Sequence, residues 1–382
     1  MNNLPEVFED FSEARKQGFI TIKNLKDGGK KVVGTFCTFT PWEVIHAAGA
    51  VPVSLCAKSD ETIADAEKHL PRNLCPLIKS SYGFAITDKC PYFYFSDLIV
   101  GETTCDGKKK MYEYLGEIKE VHVMQLPQTY KGEDAYRLWR NEIIRLKEKL
   151  QKEFGVDVTK EELSQSIKLR NRERIALKEF YELGKMCPPP ITGLEMLKVL
   201  NGASFKWDKD EEIRELKDLI NRSKSEYQEG QRKVSPDAKR ILITGCPMGE
   251  ATEKIIKAIE ENGGAVVCYE NCTGIKEISK LVDETIDPID ALTEKYLNIG
   301  CSCMSPNDNR VNLLSELIDD YKVDGVIDVI LQACHTYSVE AFNIKRFVND
   351  KKKTAYMSIE TDYSQTDIGQ INTRIAAFIE ML

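Results

Sequence analysis

Histidine is scarce in this chain: four occur in 382 residues, at positions 46, 69, 122 and 335. A thiol nucleophile needs a histidine base close by, and four histidines supply few candidates. His335 follows Cys334 directly, but adjacent residues on a strand point to opposite faces, which argues against a Cys–His dyad there. No C-x-x-C pair occurs, although structural zinc sites favour such pairs. No G-x-x-x-x-G-K-[ST] motif occurs, so ATP hydrolysis through a P-loop is not expected. Long apolar runs are missing too. The longest, 47–57, contains Pro52 and is too short to span a bilayer. The opening MNNLPEVFEDFSEARKQ is acidic and lacks an apolar h-region, so no signal peptide is expected. An excess of positive charge is also absent. The net charge is -8, which argues against nucleic acid as a main partner. A cytoplasmic protein that enters no membrane is the expectation.

What the chain has in quantity is cysteine, twelve in all. Disulfides are rare in a reducing compartment, so many cysteines favour metal binding or redox chemistry. Any single one could instead be a buried core thiol. Six stand out by position. Cys37, Cys75 and Cys105 fall in the first third, and Cys246, Cys301 and Cys334 in the last. Cys37, Cys105, Cys246 and Cys334 each follow a strand-like run, which places them at the carboxyl edge of a parallel sheet. Open α/β sheets put their ligands at that edge. Six thiolates there suit a large iron–sulfur assembly, because such clusters need soft ligands.

The length suits two or three domains. Residues 1–128 alternate strand and helix signals. KKVVGTFC, AVPVSLC and YFYFSDLIVGETTC each contain a strand. Between the first two, Thr40 is the expected N-cap of a helix with Pro41 at its first position and Val44, Ile45 and Ala48 on its buried face. Residues 129–235 are charged and helical. Trp139, Ile143, Leu146 and Leu150 repeat at helical spacing, and the Pro188–Pro190 run breaks the segment. From 236 to 382 the α/β rhythm returns, with strands in KRILITGC, AVVCYENC, KVDGVIDVILQAC and TAYMSIETDYS, and a closing helix in DIGQINTRIAAFIEML. The two ends read as a diverged repeat. Cys75 and Cys105 are 30 residues apart, and Cys301 and Cys334 are 33 apart. The predicted fold is therefore α/β: two doubly wound, flavodoxin-like parallel-sheet domains (1–128 and 236–382) joined by a helical linker or lid (129–235).

Two further motifs have two readings each. TGCPMGEATE follows a strand and opens a helix, so its amides could face an anion, or it is a plain βα turn. GKKKM (107–111), beside Cys105, is either a solvated face or a source of positive charge for a cluster.

GTFCTFTPWEVIHAAGAVPV, TTCDGKKKM, GCSCMSPNDNR and the closing ETDYSQTDIGQINTRIAAFIEML resemble the 2-hydroxyacyl-CoA dehydratase / benzoyl-CoA reductase superfamily. QACHTY and GCP resemble its double-cubane branch. The resemblance implies, for a dehydratase subunit, one 4Fe–4S cluster on three cysteines matching Cys37, Cys75 and Cys105. For the double-cubane branch it implies two 4Fe–4S units joined by a sulfide, an 8Fe–9S assembly whose second three ligands would be Cys246, Cys301 and Cys334. Cys303 competes with Cys301, and Cys272 more weakly. Cys56, Cys90, Cys187 and Cys268 are left to packing.

The resemblance also implies an ATP-hydrolysing reductase, a 4Fe–4S activator that delivers low-potential electrons, and a homodimer. The expected activity is reduction of a small unsaturated molecule of the acetylene type, with His335 the candidate proton donor. Two alternatives stand beside it. One is an (R)-2-hydroxyacyl-CoA dehydratase subunit with one 4Fe–4S cluster. The other is a non-enzymatic iron–sulfur carrier or scaffold.

Overall fold

Short β-branched runs build two parallel sheets of four strands, and both take the same order. The computed structural model describes Gly18 and residues 20–382 apart from Met248 and Thr273. The opening segment read for a signal peptide, and Met248 of the TGCPMGEATE turn, lie outside the described residues. In the first half, β1 (Val32–Thr35), β2 (Val51–Ser54), β3 (Leu98–Glu102) and β4 (Val121–Met124) are ordered β2-β1-β3-β4. In the second, β5 (Lys239–Gly245), β6 (Gly264–Tyr269), β7 (Gly325–Leu331) and β8 (Ala355–Thr361) are ordered β6-β5-β7-β8. Counted from its own first strand, each sheet runs 2-1-3-4. That is a doubly wound order, with a switch point between the first and third strands. The repeat seen in the sequence is thus a repeat of topology.

The strands sit where the apolar runs place them. GVIDVIL is buried along its whole length, as a strand covered on both faces must be. β4 is not among the strands the sequence predicts. It is four residues long, lies at the sheet edge and is buried fully only at Met124, so it carries little periodic signal. The helix after β1 runs Trp42–Ala47, and its cap is Pro41 rather than Thr40. Thr40 lies one residue before that cap, and its hydroxyl donates to the buried carboxylate of Glu102. Val44, Ile45 and Ala48 are buried as expected.

Four longer helices, Glu133–Phe154, Lys160–Tyr181, Gly193–Ala203 and Lys209–Gln228, fill the middle of the chain. Thr159 and Thr192 start two of them through capping boxes with Glu162 and Glu195. The stripe Trp139, Ile143, Leu146 and Leu150 packs with Val44 and Ile45 of the first half and Leu292 and Tyr296 of the second, in one core. Arg174 ties the same three segments by hydrogen bonds. Its guanidinium donates to Glu43 at 2.7 Å and to the Tyr296 hydroxyl at 3.1 Å, and all of this is buried. Among the described residues, no helix is long and apolar enough to cross a membrane.

Candidate functional site

The strands that flank each switch point end in cysteine. Cys37 lies two residues past β1, Cys105 three past β3, Cys246 one past β5 and Cys334 three past β7. Cys75, Cys105 and Cys334 are also N-caps, of the helices Pro76–Ile86, Asp106–Leu115 and His335–Arg346. A helix N-terminus favours negative charge, and so favours thiolate. Gly245 lets β5 reach the site. Its φ is +113°, and a Cβ there would stand 2.1 Å from the Val329 carbonyl. The Cys246 amide then donates to that carbonyl at 2.9 Å, and the Leu331 amide donates to Cys246 Sγ at 3.3 Å.

The six predicted cysteines gather into two thiol groups, and neither follows the division by halves. In the first group, Cys246 and Cys75 are the neighbours that act most on Cys334, and together they push its thiol down to about 3. Burial and then Cys334 push Cys246 up, and Cys334 and then burial push Cys75 up. Cys105, raised by burial, also feels Cys334. The second group holds Cys37, Cys272, Cys301 and Cys303. Cys303, beside Cys301, pushes it down to about 6, with help from Lys276. Thr38, from the first half, reaches Cys272 Sγ at 4.0 Å. The packing agrees. Cys75 and Cys246 belong to one core, with Cys105 and Cys334 against it, while Cys37, Cys301 and Cys303 pack against the other. Each group therefore draws on both halves of the chain, and Cys272 and Cys303 stand with Cys301.

Of the cysteines left to packing, Cys268 is fully buried in β6. Cys56 donates to the Phe36 carbonyl at 3.0 Å, and Cys90 caps the helix Pro91–Phe95. Cys187 differs from expectation. It is exposed, while the prolines that follow turn inward, with Pro189 and Pro190 buried.

Buried charge surrounds the second group. Glu270 ion-pairs with Lys276 and Arg310, each at 3.1 Å, and all three are buried. Lys276 also donates to the Tyr337 hydroxyl at 3.3 Å. These residues carry no motif, and the apolar pattern around them gives no warning of them. The GKKKM run splits between its two readings. Lys108 turns inward and donates to the Phe36 carbonyl at 2.8 Å. Lys109 and Lys110 are exposed and pair with Asp106 and Glu113. Lys108 acts on Cys37 and Cys272 of one group and on Cys105 of the other, so the two groups are neighbours across it. Beside it, burial pushes Glu102 up to about 7.

His335 is the first residue of its helix rather than part of a strand, and it is exposed. A cavity of about 1190 Å³ reaches Cys37 and Cys272. Trp42, His46, Arg170 and Trp207 are among its lining residues.

Residues 37–382 match the family described as 2-hydroxyglutaryl-CoA dehydratase, D-component. The chain belongs to that family. Escherichia coli K12 YjiM, named as a candidate dehydratase subunit, is 58% identical over 100% of this chain and 99% of its own. The (R)-phenyllactyl-CoA dehydratase beta subunit of Clostridium sporogenes is 25% identical over the whole of both chains. The beta subunit of (R)-2-hydroxyglutaryl-CoA dehydratase from Acidaminococcus fermentans is 21% identical over 99% of this chain and 100% of its own. For this D-component relative, the chemistry of the donor set can be set against an iron–sulfur cluster. The twelve thiols are all free. Among the described residues, no three His, Cys, Asp or Glu side chains are spaced to close on a single ion. A cluster spreads its thiolates over separate irons, and eight soft donors in two adjoining groups fit that requirement.

Proposed function

We propose that this dehydratase/reductase-type subunit is a reductase for small unsaturated molecules of the acetylene type. In this reading Cys37, Cys75, Cys105, Cys246, Cys301 and Cys334 hold an 8Fe–9S double cubane. A separate ATP-hydrolysing 4Fe–4S reductase loads it with low-potential electrons, and the working form is a homodimer. One observation carries the proposal: Cys246 and Cys334 of the second half meet Cys75 and Cys105 of the first. A subunit holding one cluster on the first-half cysteines would have no use for that meeting. Within the second group, Cys303 and Cys272 remain the alternatives to Cys301.

The chain's own residues would do the following. Helix N-termini at Cys75, Cys105 and Cys334 stabilise negative sulfur. Lys108 and Lys276 add fixed positive charge beside the sulfurs. The cavity, walled by the helical middle segment through Arg170 and Trp207, admits a small substrate toward Cys37 and Cys272. His335, exposed beside Cys334, is the candidate proton donor. The cluster, when bound, supplies electrons in pairs.

The second reading is an (R)-2-hydroxyacyl-CoA dehydratase subunit with one 4Fe–4S cluster. The family match and the size of the cavity favour it. Anaerobic iron and acid-labile sulfide analysis separates the two. About eight irons per chain are expected for the double cubane, with loss in Cys37→Ala, Cys246→Ala and Cys334→Ala alike. About four irons, lost in Cys37→Ala and kept in Cys246→Ala and Cys334→Ala, would sink it.

A further inference from the structure

We propose that Tyr363 donates a hydrogen bond from its phenolic O–H to a sulfur of the cluster held by the Cys75, Cys246 and Cys334 group, and so tunes that cluster's potential. The inference rests on the cluster reading above and assigns a residue that the reading does not use.

Tyr363 lies two residues past β8 and is 1% exposed. Its hydroxyl is buried and has no hydrogen-bond partner among the described residues. An unmet buried hydroxyl is destabilising, and a phenylalanine at the same place would avoid that cost. The ring packs in the core that contains Cys75 and Cys246, against which Cys56, Cys105 and Cys334 lie. The ionisable groups acting most strongly on it are Cys75, Cys246, Cys56 and Cys334, in that order. The orphaned hydroxyl thus shares its buried core with the thiols of this group.

In the second thiol group, Tyr337 stands beside Cys301 and Cys272, and its oxygen accepts from Lys276 at 3.3 Å, whereas the Tyr363 hydroxyl has no partner of either kind among the described residues. The loop carrying Tyr363 is clamped on both sides. Thr361 Oγ1 donates to Asp367 at 2.6 Å, the Ser364 amide donates to Asp362 at 2.8 Å, and the buried Lys254 donates to the Ser364 carbonyl at 2.7 Å. The ring is thus held in place rather than free to swing out. A donor to cluster sulfur stabilises the more negative, reduced state and raises its potential.

The test uses the full chain, reconstituted anaerobically, as wild type, as Tyr363→Phe and with 3-fluorotyrosine at 363. Iron content, the midpoint potential by EPR-monitored titration, and exchangeable-proton couplings by ENDOR in H2O and D2O are read together. Tyr363→Phe should keep its iron, shift the potential negative and lose one exchangeable coupling. The fluorinated phenol, a stronger donor, should shift the potential positive. Full iron with unchanged potential and coupling overturns the proposal. So does loss of iron in Tyr363→Phe, which would make the hydroxyl an assembly requirement instead. A wild type that binds no iron refutes the cluster reading itself, and this inference falls with it.

Discussion

Replacing Glu270 with glutamine removes one negative charge from a place without solvent. Burial raises the Glu270 pKa, but Lys276 and Arg310 outweigh burial and hold it below the usual carboxylate range. Arg310 keeps a second carboxylate, Glu340, when Glu270 is lost. Among the described residues, Glu270 is the carboxylate that pairs with Lys276. The uncompensated charge in Glu270→Gln therefore falls on Lys276. Breaking a buried pair from one side costs about 3–5 kcal/mol. Glutamine keeps the volume and one acceptor, so the lower end, about 3 kcal/mol, is expected for the iron-free protein.

Lys276 also acts on Cys272 and Cys301. In the proposed cluster-bound form a thiolate at Cys301 supplies the missing negative charge, and the cost of Glu270→Gln should be clearly smaller. Urea denaturation of the iron-free and anaerobically reconstituted forms measures both values. The double variant Glu270→Gln/Lys276→Met should recover most of the iron-free loss, because a neutralised pair leaves no stranded ion. A loss below about 1 kcal/mol without iron would refute the charge argument. An equal loss in both forms would show that Lys276 does not sense the thiol group.

Three further outcomes follow from the same kind of reasoning. Arg174→Met should destabilise by about 3–5 kcal/mol by stranding Glu43, and Arg174→Met/Glu43→Gln should recover most of it, both read by urea midpoints. His122 is pushed down to about 4, by burial first and then by Arg145 and Lys149. The unfolded chain takes up its proton near pH 6.5 and the folded chain does not, so stability is lost as pH falls from 6.5 toward 4. The effect approaches about 3 kcal/mol, and His122→Phe should flatten that part of the stability–pH curve. Gly245→Ala should lower both stability and iron content, since it combines a positive φ with a clash against the Val329 carbonyl, whereas Gly263→Ala, at positive φ in open space, should keep its iron.

How much of this was legible in the sequence depended on the range of the signal. Strand identity is local. Four to seven apolar residues between polar turns marked every strand except β4, which is short and half-exposed at an edge. The repeat was legible because it needs the same order of local signals twice, and the 2-1-3-4 order of both sheets is its structural form. The cysteines were legible as residues but not as groups. Spacing along the chain sorted them into Cys37, Cys75, Cys105 and Cys246, Cys301, Cys334. Their meeting depends on how two sheet edges face each other, and no window of sequence contains that. Thr40 shows the same limit at the scale of one side chain. Its neighbours mark it as an N-cap, yet the helix starts one residue later and its hydroxyl donates to a carboxylate 62 residues away. Glu270, Lys276 and Arg310 are the extreme case. Each looks like surface charge in its own segment, and only the fold buries them together beside thiols, where one lysine's charge acts on two sulfurs. The cluster reading thus rests on two kinds of fact: residue types that the sequence shows directly, and an electrostatic setting that exists only after the two halves close on each other.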